Sequence, residues 1–364
     1  MGKFIKKNWF VSLLVVVFAF VSVYYIYDTN KGKLKGKSSN GEDVVYEVDG
    51  TDTTASQFYD ALYKKNGTSS LYHKIVKAVV DQSVETTDEM KSEAGDQATE
   101  IAASYAQQYS TGYKDQIASQ LISLGYENGF DDLEEYLIDY NKQLKLAGDY
   151  AKDHFDELQI RNVSYILIKF ENSSAASQAG APTEDEQKRM DAVDAELAEG
   201  KDFATVAADL SEDSSTASSG GVLGTLDKNT TTLDEDFLAG ALELNEGETS
   251  GWIYSANFGY FKIKCNAATP ETLQAFADEQ ANKPAATASP EASASAEPTA
   301  SAETETVTAD PYKDLVQSYD NSLMPVSVWA KAQELGITFS DDSAKTALLN
   351  YMGLNEDGTV KSND

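Results

Sequence analysis

Histidine, cysteine and arginine, which often perform nucleophilic, acid–base, metal or phosphate-binding chemistry, are scarce in this 364-residue sequence. The histidines are His73 and His154, the cysteine is Cys265, and the arginines are Arg161 and Arg189. A single cysteine excludes a disulfide framework and a cysteine-based zinc site, and neither histidine belongs to an HExxH motif. Two arginines leave little material for bidentate phosphate recognition. We therefore expect neither a metal centre nor a cofactor.

Net charge separates this chain from nucleic-acid-binding proteins. Its 60 acidic residues outnumber 29 basic ones and give a net charge of −31, whereas nucleic acid requires a basic face. We expect no nucleic-acid partner. At this length, and with 41% apolar residues, the chain can build the cores of two or more domains.

The amino terminus has the pattern of a membrane anchor. Residues 1–7 contain three lysines, and residues 8–27 form an uncharged run that could span the hydrocarbon layer as a helix. A cleaved signal peptide is the alternative, although the bulky residues that end the run offer no A-x-A cleavage site. A polar spacer follows over 28–41. We predict a cytoplasmic tail, a single membrane span and an extracytoplasmic body.

Residues 42–158 are predicted to form a helical domain led by one strand. The segment VVYEVDG has the composition of a strand that ends in a turn. Apolar residues at helical spacing, such as Leu133 with Leu137, then predict successive helices. Thr86 and Glu89 have the spacing of a capping box at the start of one of them.

The pattern changes at residue 161. The segment NVSYILIKF alternates and is rich in β-branched and aromatic residues, so it predicts a strand. Thr183 and Glu186 have capping-box spacing, and the later segments complete the order β-α-α-β-α-β-β over 161–267. The predicted fold class is α+β, with a helical lobe and this compact module, preceded by one transmembrane helix.

The carboxy-terminal third begins with a low-complexity stretch. Residues 283–309 are dominated by Ala, Ser, Thr, Pro and Glu, which predicts a disordered acidic linker. Short helices are predicted over 310–353, with Pro325 and Gly336 as breaks, and 354–364 form a tail. Because short helices need a partner face, we expect them to pack on the helical domain.

Three motifs of the module resemble the parvulin-type peptidyl-prolyl isomerases. They are EGKDFATVAADLSED, the turn GGVLG and LNEGETSG. The preceding helical region resembles the chaperone domain of PrsA- and SurA-type foldases, so that the resemblance covers about Val44 to Lys264. It implies a helical chaperone domain at 42–158 and a parvulin-like isomerase domain at 161–267.

Rotation about an X-Pro bond meets a barrier of about 20 kcal/mol and equilibrates over tens of seconds. Its catalysis needs an apolar pocket for the proline ring and polar groups at the twisted carbonyl, but no nucleophile. The resemblance implies two facing histidines and a Cys or Asp; here Tyr165 and Phe261 replace the histidines, and Asp213 stands at the third position. The resemblance assigns substrate binding to Leu233, Phe237, Phe258 and Phe261.

The predicted function is therefore a membrane-anchored extracytoplasmic folding factor. Its partners would be unfolded or newly exported polypeptides and their X-Pro segments, with an isomerase activity that is weak or lost. Two alternatives stay open: a fully active isomerase that uses the Tyr165 hydroxyl and Asp213, and a surface structural protein with this fold as a scaffold. Acidic clusters at 131–132 and 184–186 indicate helix N-termini, with weak Ca²⁺ binding as their alternative.

Overall fold

The structure is a computed structural model that describes Tyr24 and residues 37–171, 181–283 and 309–361. The chain forms two compact units, Met1–Gly67 and Thr68–Asp364. The predicted membrane segment 8–27, apart from Tyr24, and most of the predicted linker 283–309 lie outside the described residues. Within the described ranges, no helix combines the length and the apolar character needed to cross a membrane.

The smaller unit contains the predicted leading strand and the first helix. Its elements are β1 (Ser38–Ser39), β2 (Glu42–Val48), β3 (Thr51–Thr54) and α1 (Ala55–Leu62), followed by a π-helical turn at Tyr63–Gly67. The three strands are antiparallel in the order β1-β2-β3. Thr54 caps α1: its hydroxyl accepts from the Gln57 amide, and the Gln57 side chain accepts from the Thr54 amide.

The larger unit begins with a helical part. Its helices are α2 (Thr68–Ser83), α3 (Asp88–Tyr109), α4 (Tyr113–Ser123), α5 (Leu133–Asp153) and the short α6 (Phe155–Leu158). Leu133 and Leu137 of α5 lie in the core that α5 forms with α3 and α4, as their spacing predicted. The predicted capping residue of α3 is wrong by one position: Thr87, not Thr86, accepts from the Met90 amide.

The sheet-containing module follows the predicted order of elements. It comprises β4 (Arg161–Lys169), α7 (Glu184–Ala198), α8 (Phe203–Leu210), β5 (Val222–Leu226), α9 (Glu235–Leu242), β6 (Thr249–Ser255) and β7 (Gly259–Ala267). The strands form one antiparallel sheet in the order β5-β4-β7-β6. Alternate residues of β4 and β7 enter two cores, one beneath α9 and the other beneath α7 and α8.

A helix that the sequence reasoning missed follows the module directly. It is α10 (Pro270–Ala281), with Pro270 at its first position and the Thr269 hydroxyl accepting from the Thr272 amide. Its Leu273 is 1% exposed and packs in a core with α5, α6 and residues 312–323. We name residues 309–322 the return segment; it contains a π-helical turn at Leu315–Tyr319.

Two terminal helices, α11 (Leu323–Glu334) and α12 (Asp342–Tyr351), close the larger unit. They pack on α2 and α5, and Val328 and Ala332 of α11 share a core with Val76, Val79 and Val80 of α2. Pro325 does not separate two elements, as the sequence had suggested, but lies in the first turn of α11. That position is compatible with proline because the first amides of a helix have no partner within the helix.

Candidate functional site

The β4–β7 pair brings two of the predicted site residues to one face of the sheet. Tyr165 lies opposite Ile263, and Leu167 lies opposite Phe261, so the rings of Tyr165 and Phe261 are diagonal neighbours. Their centroids are 5.6 Å apart in an edge-to-face arrangement. Because inward residues alternate along each strand, the same register that builds the core fixes this contact.

Helix α9 adds a third ring to the pair. The centroid of Phe237 is 5.5 Å from that of Tyr165 and 5.0 Å from that of Phe261, and both contacts are edge-to-face. Tyr165, Phe237 and Phe261 are 9%, 3% and 6% exposed. The three rings therefore pack against one another in a closed core and do not line an open groove.

Asp213 reaches this cluster from the loop that follows α8. Three hydrogen bonds fasten the loop to β4: the Glu212 amide donates to the Leu167 carbonyl at 2.8 Å, the Leu167 amide donates to the Ser211 hydroxyl at 3.2 Å, and the Lys169 amide donates to Oε2 of Glu212 at 2.7 Å. With the loop held there, the Tyr165 hydroxyl donates to Oδ2 of Asp213. The structure thus brings together the two residues that were predicted to be catalytic.

Further donors surround the Asp213 carboxylate. The Ser215 amide and hydroxyl donate to Oδ1 at 3.1 and 2.8 Å, and the Thr216 hydroxyl donates to Oδ2 at 3.0 Å. Burial opposes ionisation, but hydrogen bonds from Tyr165, Ser215 and Thr216 outweigh it and hold the pKa of Asp213 below its ordinary value. Burial, and then the bond to Asp213, raise the pKa of Tyr165 to about 12. At neutral pH the pair is a neutral phenol bonded to a carboxylate.

The other predicted substrate-binding residues lie at the margin of the cluster. Leu233 is partly buried and packs against the same core. Phe258, in the turn between β6 and β7, is 50% exposed, and its ring centroid is 5.9 Å from that of Phe261. Of the predicted apolar set, Phe258 is the ring that solvent reaches most freely.

One residue that the sequence reasoning missed supports the Asp213 loop. Arg189 of α7 forms an ion pair with Glu212, the neighbour of Asp213, and also donates to the Lys169 carbonyl at 3.2 Å. Arginine is rare in this sequence, and this rarity is the feature by which Arg189 could have been recognised as a candidate. Its five donors suit a contact that must tie a loop to both a helix and a strand.

The histidines and the cysteine lie outside this constellation. His73, in α2, packs edge-on against Tyr72, and burial lowers its pKa. His154, at the end of α5, stacks on Tyr150 with a centroid distance of 4.0 Å. Cys265 is fully buried in β7. Among the described residues, no group of three or more His, Cys, Asp or Glu side chains could hold a metal ion.

Residues 165–267 match the Rotamase family, described as the PPIC-type PPIASE domain. The module is therefore a parvulin-type peptidyl-prolyl isomerase domain, and the predicted family resemblance is confirmed. The particular relatives are foldases: the chain is 33% identical over 141 residues to the foldase protein PrsA of Clostridium kluyveri, a match that covers 36% of each chain. With the foldase protein PrsA of Clostridium acetobutylicum it shares 34% identity over 135 residues, or 37% of this chain and 38% of that one.

The matched region thus spans little more than a third of the length of these relatives. Among solved structures, the chain is similar to the PrsA of Bacillus cereus, with 20% identity and a TM-score of 0.36 over 86% of this chain and 99% of that one. It is also similar to NmPin, the parvuline of Nitrosopumilus maritimus, with 30% identity and a TM-score of 0.22 over 30% of this chain and 96% of that one.

Proposed function

We propose that the chain is an extracytoplasmic folding factor that binds unfolded or newly exported polypeptides and isomerises their X-Pro bonds slowly. The observation that supports this most directly is the site of its parvulin-type domain. There Tyr165 and Phe261 occupy the positions at which the family resemblance implies histidines, and the Tyr165 hydroxyl is bonded to Asp213. In this proposal Asp213 and Tyr165 are the catalytic pair, and the exposed Phe258 is the first of the predicted substrate-binding residues to contact the substrate. Leu233, Phe237 and Phe261 contact it only when this core opens.

Slow catalysis follows from the chemistry of these side chains. Phe261 has no hydrogen-bonding group, and the one proton of the Tyr165 hydroxyl already serves the Asp213 carboxylate. Neither residue can therefore offer a free donor at the point where the twisted amide develops charge. A deficit of about 3 kcal/mol in transition-state stabilisation lowers the rate roughly a hundredfold.

The test of the isomerase is a rate measurement on short X-Pro peptides with the full chain. We expect wild type to be slow and the pair Tyr165→His with Phe261→His to be at least tenfold faster. Phe261→Leu is the matched control, because it changes the same ring without adding a polar group. If wild type is already as fast as an ordinary parvulin, Asp213 and the apolar residues are sufficient and the proposal of slow catalysis is wrong.

Chaperone activity is proposed from the exposed apolar side chains of the smaller unit. Val48, Tyr59 and Leu62 are 66%, 63% and 54% exposed, and exposed apolar clusters commonly mark binding surfaces for other polypeptides. We expect the chain to suppress aggregation of a denatured client, and Tyr59→Ser with Leu62→Ser to weaken that suppression. Tyr109→Ser, at an exposed tyrosine of the larger unit, should leave it unchanged. Wild type that fails to suppress aggregation would favour a structural role.

Membrane attachment through residues 8–27, with the body outside the cell membrane, is part of the proposal and rests on the sequence pattern. Fractionation of cells that produce the full chain should find it with the membrane, and external protease should digest it in intact protoplasts. Recovery of a shortened chain in the medium would identify a cleaved signal instead. The domain boundaries at 42–158 and 161–267 stay predictions.

A further inference from the structure

Two buried carboxyl groups meet where the return segment crosses the end of β5. Asp227 follows β5 directly and is fully buried, and Asp320 ends the π-helical turn of the return segment and is 2% exposed. Asn229 links them: its backbone amide donates to Oδ1 of Asp227 at 3.0 Å, and its side chain donates to Oδ2 of Asp320 at 3.3 Å. The pair thus joins the parvulin-type domain to the carboxy-terminal part of the chain.

The hydrogen bonds around this pair leave one oxygen without a donor. Oδ1 of Asp320 accepts from the Ser322 amide and hydroxyl, and Oδ1 of Asp227 accepts from Asn229 and from the Thr230 hydroxyl at 3.2 Å. Oδ2 of Asp227 is buried and has no donor among the described residues. A buried ionised oxygen without a donor is costly, and a second carboxylate beside it increases that cost through repulsion.

A single proton removes both costs. If Asp227 is protonated, its unpartnered oxygen becomes a donor that faces the Asp320 carboxyl, and only one negative charge remains buried. Burial, and then the neighbouring Asp320, raise the pKa of Asp227 to about 8. We propose that Asp227 and Asp320 share one proton, and that this proton fastens the return segment to the parvulin-type domain.

The remaining contacts of this junction are neutral. The Thr225 hydroxyl donates to the Pro311 carbonyl at 3.0 Å, and the Tyr319 hydroxyl donates to the Leu223 carbonyl at 3.1 Å. Leu315 of the return segment is buried in a core that also contains Leu158 of α6. Since these contacts do not titrate near neutral pH, the carboxyl pair sets how tightly the junction closes as pH changes.

Other charged and titratable groups lie on the elements packed around the pair. The loop of Asp227 contains Lys228, whose backbone amide donates to the Leu158 carbonyl of α6. A cavity of about 860 Å³ adjoins the loop. The loop contributes Lys228 and Asp234, and the return segment contributes Asp310, Tyr312, Lys313, Asp314 and Tyr319. The ends of α5 and α6 and the helix α11 contribute Asp149, Tyr150, Lys152, Asp153, His154, Asp156, Glu157, Lys331 and Glu334.

The sign of the pH effect follows from proton linkage. An aspartate that is released from this junction regains an ordinary pKa of about 3.9, so the docked state binds the proton more tightly. Docking is therefore strongest at low pH and weakens as pH rises toward the raised pKa of Asp227. Within that window the opening equilibrium increases up to about tenfold for each pH unit.

Hydrogen–deuterium exchange of the full chain at pH 6, 7, 8 and 9 in EDTA tests this. Exchange is corrected for the intrinsic pH dependence, and the amides to follow are those of residues 316–323. In wild type we expect opening to increase roughly tenfold to a hundredfold between pH 6 and 8. Asp227→Asn, which imitates the protonated acid, should remove the increase, and Asp320→Asn should diminish it, because Asp227 stays buried.

Two control variants isolate the pair. Asp314→Asn removes an exposed carboxylate of the same segment, and His154→Gln removes the nearby imidazole; both should keep the wild-type pH response. A flat wild-type profile, or an undiminished response in folded Asp227→Asn, would overturn the proposal. So would restoration of protection at pH 8 by millimolar Ca²⁺ without EDTA, because a cation rather than a proton would then hold the pair.

Discussion

The bond between Tyr165 and Asp213 can be measured with a double-mutant cycle. The variants are Tyr165→Phe, Asp213→Ala and their combination. The cycle separates the interaction energy between Tyr165 and Asp213 from the loss of the Ser215 and Thr216 hydrogen bonds that Asp213→Ala also removes. A hydrogen bond to a charged group contributes about 1.5–3 kcal/mol. Tyr165 is buried but Asp213 is only partly so, which places the expected coupling near the lower end, at about 1.5 kcal/mol.

Urea unfolding at pH 7, followed by circular dichroism, measures the free energy of unfolding of the four proteins. For Tyr165→Phe we expect a loss of about 1.5 kcal/mol, or about 2–3 °C in Tm for a unit of this size. Tyr260→Phe is the matched control, because Tyr260 lies on the opposite face of the same sheet. Because the pKa of Asp213 is lowered, its stabilising effect is present above about pH 4 and is lost as pH falls through that lowered value.

The coupling should therefore decrease when the cycle is repeated at pH 2–3. A coupling below about 0.5 kcal/mol at pH 7 would show that the hydroxyl is not bonded to an ionised Asp213. It would also remove the argument that the hydroxyl has no free proton for a substrate, on which the proposed slow catalysis depends.

Three further predictions concern stability and reactivity. Gly221→Ala should lower the free energy of unfolding in urea by more than about 3 kcal/mol, because a Cβ there would lie 2.3 Å from the Tyr165 carbonyl oxygen. Gly247→Ala, at a similar positive φ but with open space around the Cβ, should lower it by only about 1–2 kcal/mol. Leu348→Ala, at a fully buried position of α12, should cost about 2–5 kcal/mol without changing the X-Pro rate; a changed rate would mean that α12 affects the site. Cys265, whose pKa burial raises to about 11, should resist an aromatic disulfide reagent at pH 8 until the chain unfolds, and rapid native labelling would contradict its burial.

Local patterns in the sequence predicted most of the module correctly. The alternation of NVSYILIKF predicted β4, and the Thr183–Glu186 spacing predicted the cap of α7, because both signals act over a few residues. The helix α10 was missed although Pro270 and Thr272 mark its start. Its apolar residues are few, and the core that stabilises it comes from α5 and the return segment, far away in sequence.

The site was predictable as a set of residue types but not as an arrangement. Tyr165 and Asp213 are 48 residues apart, and their bond depends on the contacts by which Ser211 and Glu212 attach the loop to β4. Asp227 and Asp320 escaped notice for the same reason, since each is an ordinary turn aspartate until the fold buries both. Long-range pairs of this kind have no periodicity that a single sequence could reveal.

The position of the return segment also determines how the sheet meets other polypeptides. An edge strand with unpaired backbone groups is a template on which another extended chain can add itself and begin to aggregate. Strand β5 is one edge strand of the sheet, and the Tyr319 hydroxyl already donates a hydrogen bond to the Leu223 carbonyl on this strand. A protein that meets unfolded chains at high concentration would thus keep this edge closed to strand addition, and an extended chain would have to displace Tyr319 before it could pair with β5.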